Sequence, residues 1–157
     1  MGIRIRGAQA ADYATLYAID QSCFAPGIAW SKAELVYFLR HPRNFGLVAE
    51  GDGGAGQNPA LVGFAIAGTR RRQGQLGGHL ITIDVLEGHR RRGVGDALLA
   101  AIEERLRAEN IATVGLEVAV DNAGAQGFYA RHGFVRTGRI PGYYLGRIDA
   151  LAMEKTL

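Results

Sequence analysis

The chain has one cysteine, Cys23, so no disulfide can close within it and no set of thiolates can hold a metal. Beside Phe24 and just after a helical segment, Cys23 reads as a small buried hydrophobe. No apolar run approaches the ~20 residues of a membrane span, and the first residues lack a signal-peptide layout. His79, His89 and His132 are scattered without metal-ligand spacing, so no metal is expected and none of the three is given a catalytic role. There is no internal repeat and no composition shift that would mark a linker. Neither sign of charge dominates, with 18 Lys and Arg against 15 Asp and Glu. The arginine runs 70–72 and 90–92 carry no interleaved aromatics, which disfavours nucleic acid as a partner. What remains is ordinary for a globular domain: 48% hydrophobic and 21% charged residues in a chain of 157. A single domain over 1–157 is expected, in a cytoplasmic enzyme or binding module without membrane contact.

The most informative stretch is His89-Arg90-Arg91-Arg92-Gly93-Val94-Gly95-Asp96-Ala97-Leu98-Leu99. It follows the apolar run 80–86 and opens a pattern in which Val94, Leu98, Ile102 and Leu106 recur at helical spacing. The sequence therefore predicts strand, basic glycine turn, helix. Gly93 and Gly95 carry no Cβ, so backbone N–H groups can approach a ligand closely. A helix N-terminus adds unpaired donors and about half a positive charge. Three arginines complete a site suited to phosphate or pyrophosphate. A Walker loop is excluded because no Lys-Ser/Thr pair follows, and the dinucleotide fingerprint because its third glycine is missing.

Around this stretch the elements follow in order. Ile3 and Ile5 alternate with Arg4 and Arg6 in a first strand. A helix carries Asp12, Leu16 and Ile19, and a second opens at the capping box Ser31-Lys32-Ala33-Glu34 and runs to Arg40 before His41-Pro42. Strands at 45–50 and 60–68 flank the glycine-rich loop 51–59. Residues 70–78 read as a polar turn, 80–86 as a strand and 94–109 as the helix. Strand 112–120, helix 122–132 and strands 134–139 and 150–155 complete the chain. The order β-α-α-β-β-β-α-β-α-β-β describes a mixed α/β fold, a mostly antiparallel sheet flanked by helices.

Arg90-Arg91-Arg92-Gly93-Val94-Gly95 resembles the Arg/Gln-x-x-Gly-x-Gly/Ala signature of the GNAT N-acetyltransferase superfamily, and the element order matches that fold from first strand to last. Within it the chain looks most like the RimI-type ribosomal-protein alanine N-acetyltransferases. That likeness rests on Ile19-Asp20-Gln21-Ser22-Cys23-Phe24 with Trp30-Ser31, on strand 79–85, on Leu116-Glu117-Val118 with Asp121-Asn122-Ala123, and on Phe128-Tyr129-Ala130-Arg131-His132-Gly133-Phe134. The run Gly142-Tyr143-Tyr144 followed by Asp149-Ala150-Leu151-Ala152-Met153-Glu154 also fits that branch, although the intervening 145–148 is shorter than expected.

The resemblance implies acetyl-CoA as co-substrate and an N-terminal α-amine of a protein or peptide as acceptor. It implies that the loop Arg90, Arg91, Arg92, Gly93, Val94, Gly95 and Asp96 grips the pyrophosphate. N–H groups at Ile83, Asp84 and Val85 would hold the thioester carbonyl where the fourth strand splays from the fifth, and Asn122 would reach the pantetheine arm. By its position Asn122 is equally a helix N-cap, and the two roles are compatible. Glu117, on a strand face between Gly115 and Ala119, is the expected base, or else a structural partner of an arginine. Asp84 is a rival base, since the related strands carry a small or apolar residue there. Tyr129 would be the general acid, with Phe128 packing in the core because adjacent helix positions are turned about 100° apart. Tyr143 and Tyr144 would wall the acceptor site. A small-molecule or lysine acetyltransferase, and a coenzyme A sensor without turnover, remain as alternatives.

Overall fold

The structure is a computed structural model that describes residues 2–51 and 59–157, so most of the glycine-rich loop 51–59 lies outside the described residues. The elements are β1 (Arg4–Gly7), α1 (Tyr13–Cys23), α2 (Lys32–Arg40), β2 (Asn44–Gly51), β3 (Ala60–Arg72), β4 (Gln75–Val85), α3 (Val94–Ala108), β5 (Thr113–Ala119), α4 (Ala123–Arg131), β6 (Val135–Tyr144) and β7 (Ile148–Thr156). Their order is the expected one. The strands form one sheet, β1-β2-β3-β4-β5-β7-β6, antiparallel throughout except for β4 beside β5.

Helices cover both faces of the sheet's centre, which is why β3 is apolar almost without interruption from Val62 to Ala67. Phe64 and Ile66 turn to one face, where Leu16 and Ile19 of α1 and Leu35 of α2 meet them. Ala65 and Ala67 turn to the other, under Val94, Leu98, Leu99, Ile102 and Leu106 of α3. The second helix begins where its capping box predicts. The Ser31 hydroxyl accepts from the Glu34 N–H at 3.1 Å, and the Glu34 carboxylate accepts from the Ser31 N–H at 3.0 Å.

Two segments differ from the sequence-based expectation. Residues 70–78 are ladder, not turn: β3 runs to Arg72 and β4 starts at Gln75, leaving a two-residue connection. Gln73 (φ 51°) and Gly74 (φ 79°) both adopt positive φ, the turn whose twist matches that of a hairpin. Tyr143 and Tyr144 lie on β6, which runs on past the strand end expected at 139. Pro141 cannot donate to a ladder, and the β6–β7 register breaks between Ile140 and Tyr144, which disguises this edge strand as irregular chain.

The feature that places the site is a defect in β4. The β3–β4 register shifts by one residue between Ile66 and Ala67, leaving Ile81 as an extra residue on β4. A bulge bends and twists its strand. Beside β5, β4 pairs only at Gly78–Val114 and His79–Gly115, and the two strands then diverge into a notch.

Candidate active site

At one end of the notch sits the basic glycine turn. Gly93 caps α3 in the left-handed region at φ 84°, and Arg91 precedes it with φ 62°. The first α-helical bond runs from the Ala97 N–H to the Gly93 carbonyl. Among the described residues none of the N–H groups of residues 91–96 makes a close hydrogen bond, so donors are left over at this helix start. The Val94 side chain is buried in the core, and it is only the backbone that faces outward. The Arg91 and Arg92 side chains pair with no acid among the described residues. Arg90 instead folds back, its Nε donating to the Val85 carbonyl at 2.9 Å and its Nη2 approaching Cys23 Sγ at 3.6 Å. The Asp96 carboxylate meets His132 Nε2 at 2.8 Å. Gly95 is small for a reason the sequence could not supply: a Cβ there would stand 3.1 Å from the Phe128 ring.

Along the notch, β4 presents its backbone. The Leu86 N–H bonds the Val62 carbonyl, and antiparallel alternation then turns Asp84 toward β3 and Ile83 and Val85 away from it. The N–H groups of Ile83 and Val85 therefore point across the gap toward β5, while that of Asp84 belongs to the β3 ladder. Asp84 directs its carboxyl to the α1 side, where it is 1% exposed.

On β5, opposite the start of the notch, Glu117 is gripped from two sides. Arg70 Nη2 donates to its Oε2 at 2.9 Å, and His79 Nε2 lies 2.9 Å from its Oε1. The Arg70 guanidinium also lies over Gly115, 3.5 Å from where a Cβ there would stand. Burial alone would raise the Glu117 carboxyl, but hydrogen bonds from His79 and Arg70 outweigh it and bring the carboxyl down to about 2. Burial, then the nearby Glu117 charge, hold the Tyr143 hydroxyl above the ordinary phenol range. The Tyr144 hydroxyl donates to the Glu117 carbonyl at 3.4 Å, and the two tyrosine rings meet edge to face at 4.8 Å.

From α4 comes Tyr129, and here both neighbours pack: Phe128 lies against the core cluster as expected, and Tyr129 is buried as well. Tyr129 packs on Phe134, while Phe128 also lies against Gly95 and His132. Burial first, then the nearby Asp84 and Tyr144, push the Tyr129 hydroxyl far above the ordinary phenol range. Asn122 caps α4, its Oδ1 accepting from the Ala125 N–H at 3.1 Å.

The fold thus brings Glu117, Tyr129, Tyr143, Tyr144 and the Ile83–Val85 strand to one notch, with the glycine turn at its end. Sequence reasoning passed over His79 and Arg70. The available signal was indirect. His79 precedes the apolar run of β4, but its neighbourhood with Glu117 depends on a parallel strand pair separated by 38 positions.

Residues 13–134 match the profile of the acetyltransferase (GNAT) family. An N-alpha-acetyltransferase of Sulfurisphaera tokodaii is 38% identical over 81 residues, 51% of this chain and 48% of that protein. The chain thus spans about half the length of the curated relatives it matches. The crystal structure of Ard1 from Thermoplasma volcanium is similar over 100% of this chain and 99% of that one, with 28% identity and a TM-score of 0.84. That of the ribosomal-protein-alanine N-acetyltransferase from Escherichia coli is similar over 99% and 94%, with 26% identity and a TM-score of 0.78. Among the described residues no helix is long and apolar enough to cross a membrane, and no group of His, Cys, Asp and Glu is arranged to hold a metal ion.

Proposed function

The chain belongs to the GNAT acetyltransferase family, and on that premise we propose that it moves the acetyl group of acetyl-CoA to the N-terminal α-amine of a protein or peptide. The observation that supports this reading is the His79–Glu117 pair across β4 and β5 at the start of the notch, with the Tyr129 hydroxyl buried near Asp84 of the same β4. The residues fit the co-substrate. The donors of residues 91–96 suit its pyrophosphate, helped by Arg91 and Arg92. The N–H groups of Ile83 and Val85 suit the thioester oxygen as it gains charge. Asn122, with its Oδ1 committed to the helix cap, keeps its amide N–H groups for the pantetheine arm.

A carboxylate held near 2 is a weak base, so Glu117 acts through His79. The imidazole takes the proton from the incoming amine, directly or through one water, and Glu117 with Arg70 fixes its orientation and steadies the charge it acquires. Tyr129 keeps its proton at neutral pH and delivers it to the departing thiolate. A reference α-amine titrates at ~7.7–8.0 and lysine at ~10.4, a difference of roughly 3–4 kcal/mol in deprotonation, which matches an imidazole to the α-amine. Tyr143 and Tyr144 wall the acceptor. Likeness to the Escherichia coli enzyme puts a small first residue such as alanine first among acceptors, and a cytoplasmic setting, where a free thiol such as Cys23 persists, fits the same reading.

Incubation with acetyl-CoA and peptides of varied first residue, read by mass spectrometry, should show a mass gain at the α-amine. Acetylation confined to lysine side chains or small polyamines would overturn the acceptor class, and acetyl-CoA binding without turnover would leave a sensor. The grip is tested separately at Gly93. A Gly93→Val chain relaxes out of the left-handed region, and restoring that conformation on binding costs roughly 1–2 kcal/mol. Calorimetry should then find acetyl-CoA bound about tenfold more weakly. Unchanged affinity would remove the loop from the binding site. Gly93 is the better probe than Gly95, whose replacement would displace Phe128.

A further inference from the structure

Asp84 is the buried group that the chemistry above leaves unused. Its Oδ1 accepts from the Thr82 hydroxyl at 2.5 Å, whereas its Oδ2 has no donor although the residue is 1% exposed. Facing it from α1 is Asp20, 2% exposed, within hydrogen-bond reach. Two carboxylates cannot hydrogen-bond unless a proton lies between them. Asp20 Oδ2 already accepts from the Trp30 N–H at 2.8 Å, which leaves Asp84 Oδ2, buried without a partner of its own, as the oxygen that carries the shared proton. The other titratable groups facing Asp84 are Cys23 from α1, Tyr129 from α4, and Arg90 from the turn after β4. Burial and Asp84 hold the Cys23 thiol above its ordinary range, so it stays neutral, as Tyr129 does. Arg90 is the one counter-charge among them, and it is engaged with Val85 and Cys23. Burial, then Asp20, keep the Asp84 carboxyl well above the ordinary carboxylate range against the pull of Thr82 and Arg90.

The pair joins two parts of the site. Asp84 stands on the strand whose neighbouring N–H groups face the notch. Through Asp20 it holds Trp30, whose carbonyl also accepts from Gln21 Nε2 at 2.7 Å. Trp30 closes the segment 24–31 between α1 and α2. In that segment the Gly27 Cα side faces Leu145, with a Cβ position 3.1 Å from the Leu145 side chain. Leu145 follows Tyr143 and Tyr144, which reach Glu117.

We propose that Asp20 and Asp84 are positioning residues which share one proton, and that this proton latches the acceptor-side segment 24–31 onto β4. When the proton leaves to solvent at alkaline pH, the two carboxylates repel, the Trp30 anchor loosens and acceptor binding weakens. Acetyl-CoA binding at the glycine turn is untouched. The kinetic part rests on the acetyl-transfer reading above; the structural part does not.

Trp30 is the sole tryptophan, so its emission in the full chain without substrates reports the latch directly. Scanned from about pH 5 to 10, the wild-type emission should follow a one-proton titration above the ordinary carboxylate value of ~3.9. Asp84→Asn supplies a permanent amide donor to Asp20 and should abolish that titration, holding the low-pH emission throughout. In the kinetic arm, the wild-type acceptor KM should rise by up to about tenfold per pH unit above the midpoint, with kcat and acetyl-CoA affinity following a different profile. Asp84→Asn should flatten the KM profile. A wild-type emission without such a titration, or the same titration persisting in Asp84→Asn, overturns the latch. Emission that titrates while acceptor KM stays flat overturns its role in acceptor binding. A protein without any acetyl transfer would show the emission change alone, which separates failure of the functional reading from failure of the latch.

Discussion

Replacing Tyr129 with phenylalanine should lower kcat by roughly 10²–10⁴-fold, the span expected when a positioned general acid is removed. The expectation follows from where the ring and the hydroxyl stand. The ring packs with Phe134 and Phe128 in the cluster under α3 and survives the substitution unchanged. The hydroxyl is desolvated and faces Asp84 and Tyr144, an environment that keeps its proton in place until a strong base such as a thiolate appears. Acetyl-CoA affinity, set by the glycine turn, should hold, and so should the melting temperature to within a few degrees. Turnover by Tyr129→Phe at the wild-type rate would return the residue to a packing role.

The second large effect is expected at the His79–Glu117 pair. Glu117→Gln keeps the length and one acceptor of the side chain but removes the charge that orients and steadies His79. kcat should fall by about 10²–10³-fold. The acidic limb of the rate profile should persist in this variant, because a carboxyl at about 2 cannot generate a limb near neutrality. His79→Gln should remove that limb, and Asp84→Asn should leave it in place. A substrate amine titrates nearby, so the profile is repeated with a less basic peptide amine; only a limb belonging to the substrate moves. If the limb is lost in Glu117→Gln and kept in His79→Gln, the carboxylate itself is the base. The same pair has a signature in stability. Because the folded carboxyl lies at about 2 against an ordinary 4.5, its contribution is complete above the ordinary value and is lost as pH falls between the two. Acid unfolding of Glu117→Gln should be correspondingly flatter over that interval.

Local chemistry was what the sequence displayed well. The capping box at Ser31, the cap at Asn122 and the glycine turn are each written within a few consecutive residues, and each is found in place. What depends on distant partners was read less well. The arginines at 70–72 look like turn because the far end of the β3–β4 hairpin extends beyond the helices, so no apolar alternation marks it. The depth of Tyr129 was not legible because a 100° step between neighbours says that Phe128 and Tyr129 diverge but not that both directions meet apolar partners. Gly95 was read for a ligand alone, since the Phe128 ring that needs its space arrives from another helix. The notch itself is a relation between β4 and β5, and an extra residue such as Ile81 leaves no compositional mark.

That notch has a consequence for the molecule as a whole. A sheet ordinarily exposes bare backbone only along its two outermost strands. Here a second pair of rims opens in the interior, where β4 leaves β5 and the N–H groups of Ile83 and Val85 face the gap. The chain leaves its own sheet unfinished, and an extended molecule bearing amides, as the pantetheine arm of coenzyme A does, can complete it in the manner of an added strand. On the reading proposed above, some of the cohesion of this fold is deferred until the co-substrate arrives, and binding and folding form one linked equilibrium. Any substitution that zipped β4 onto β5 would gain stability in the same measure that it gave up the capacity to bind.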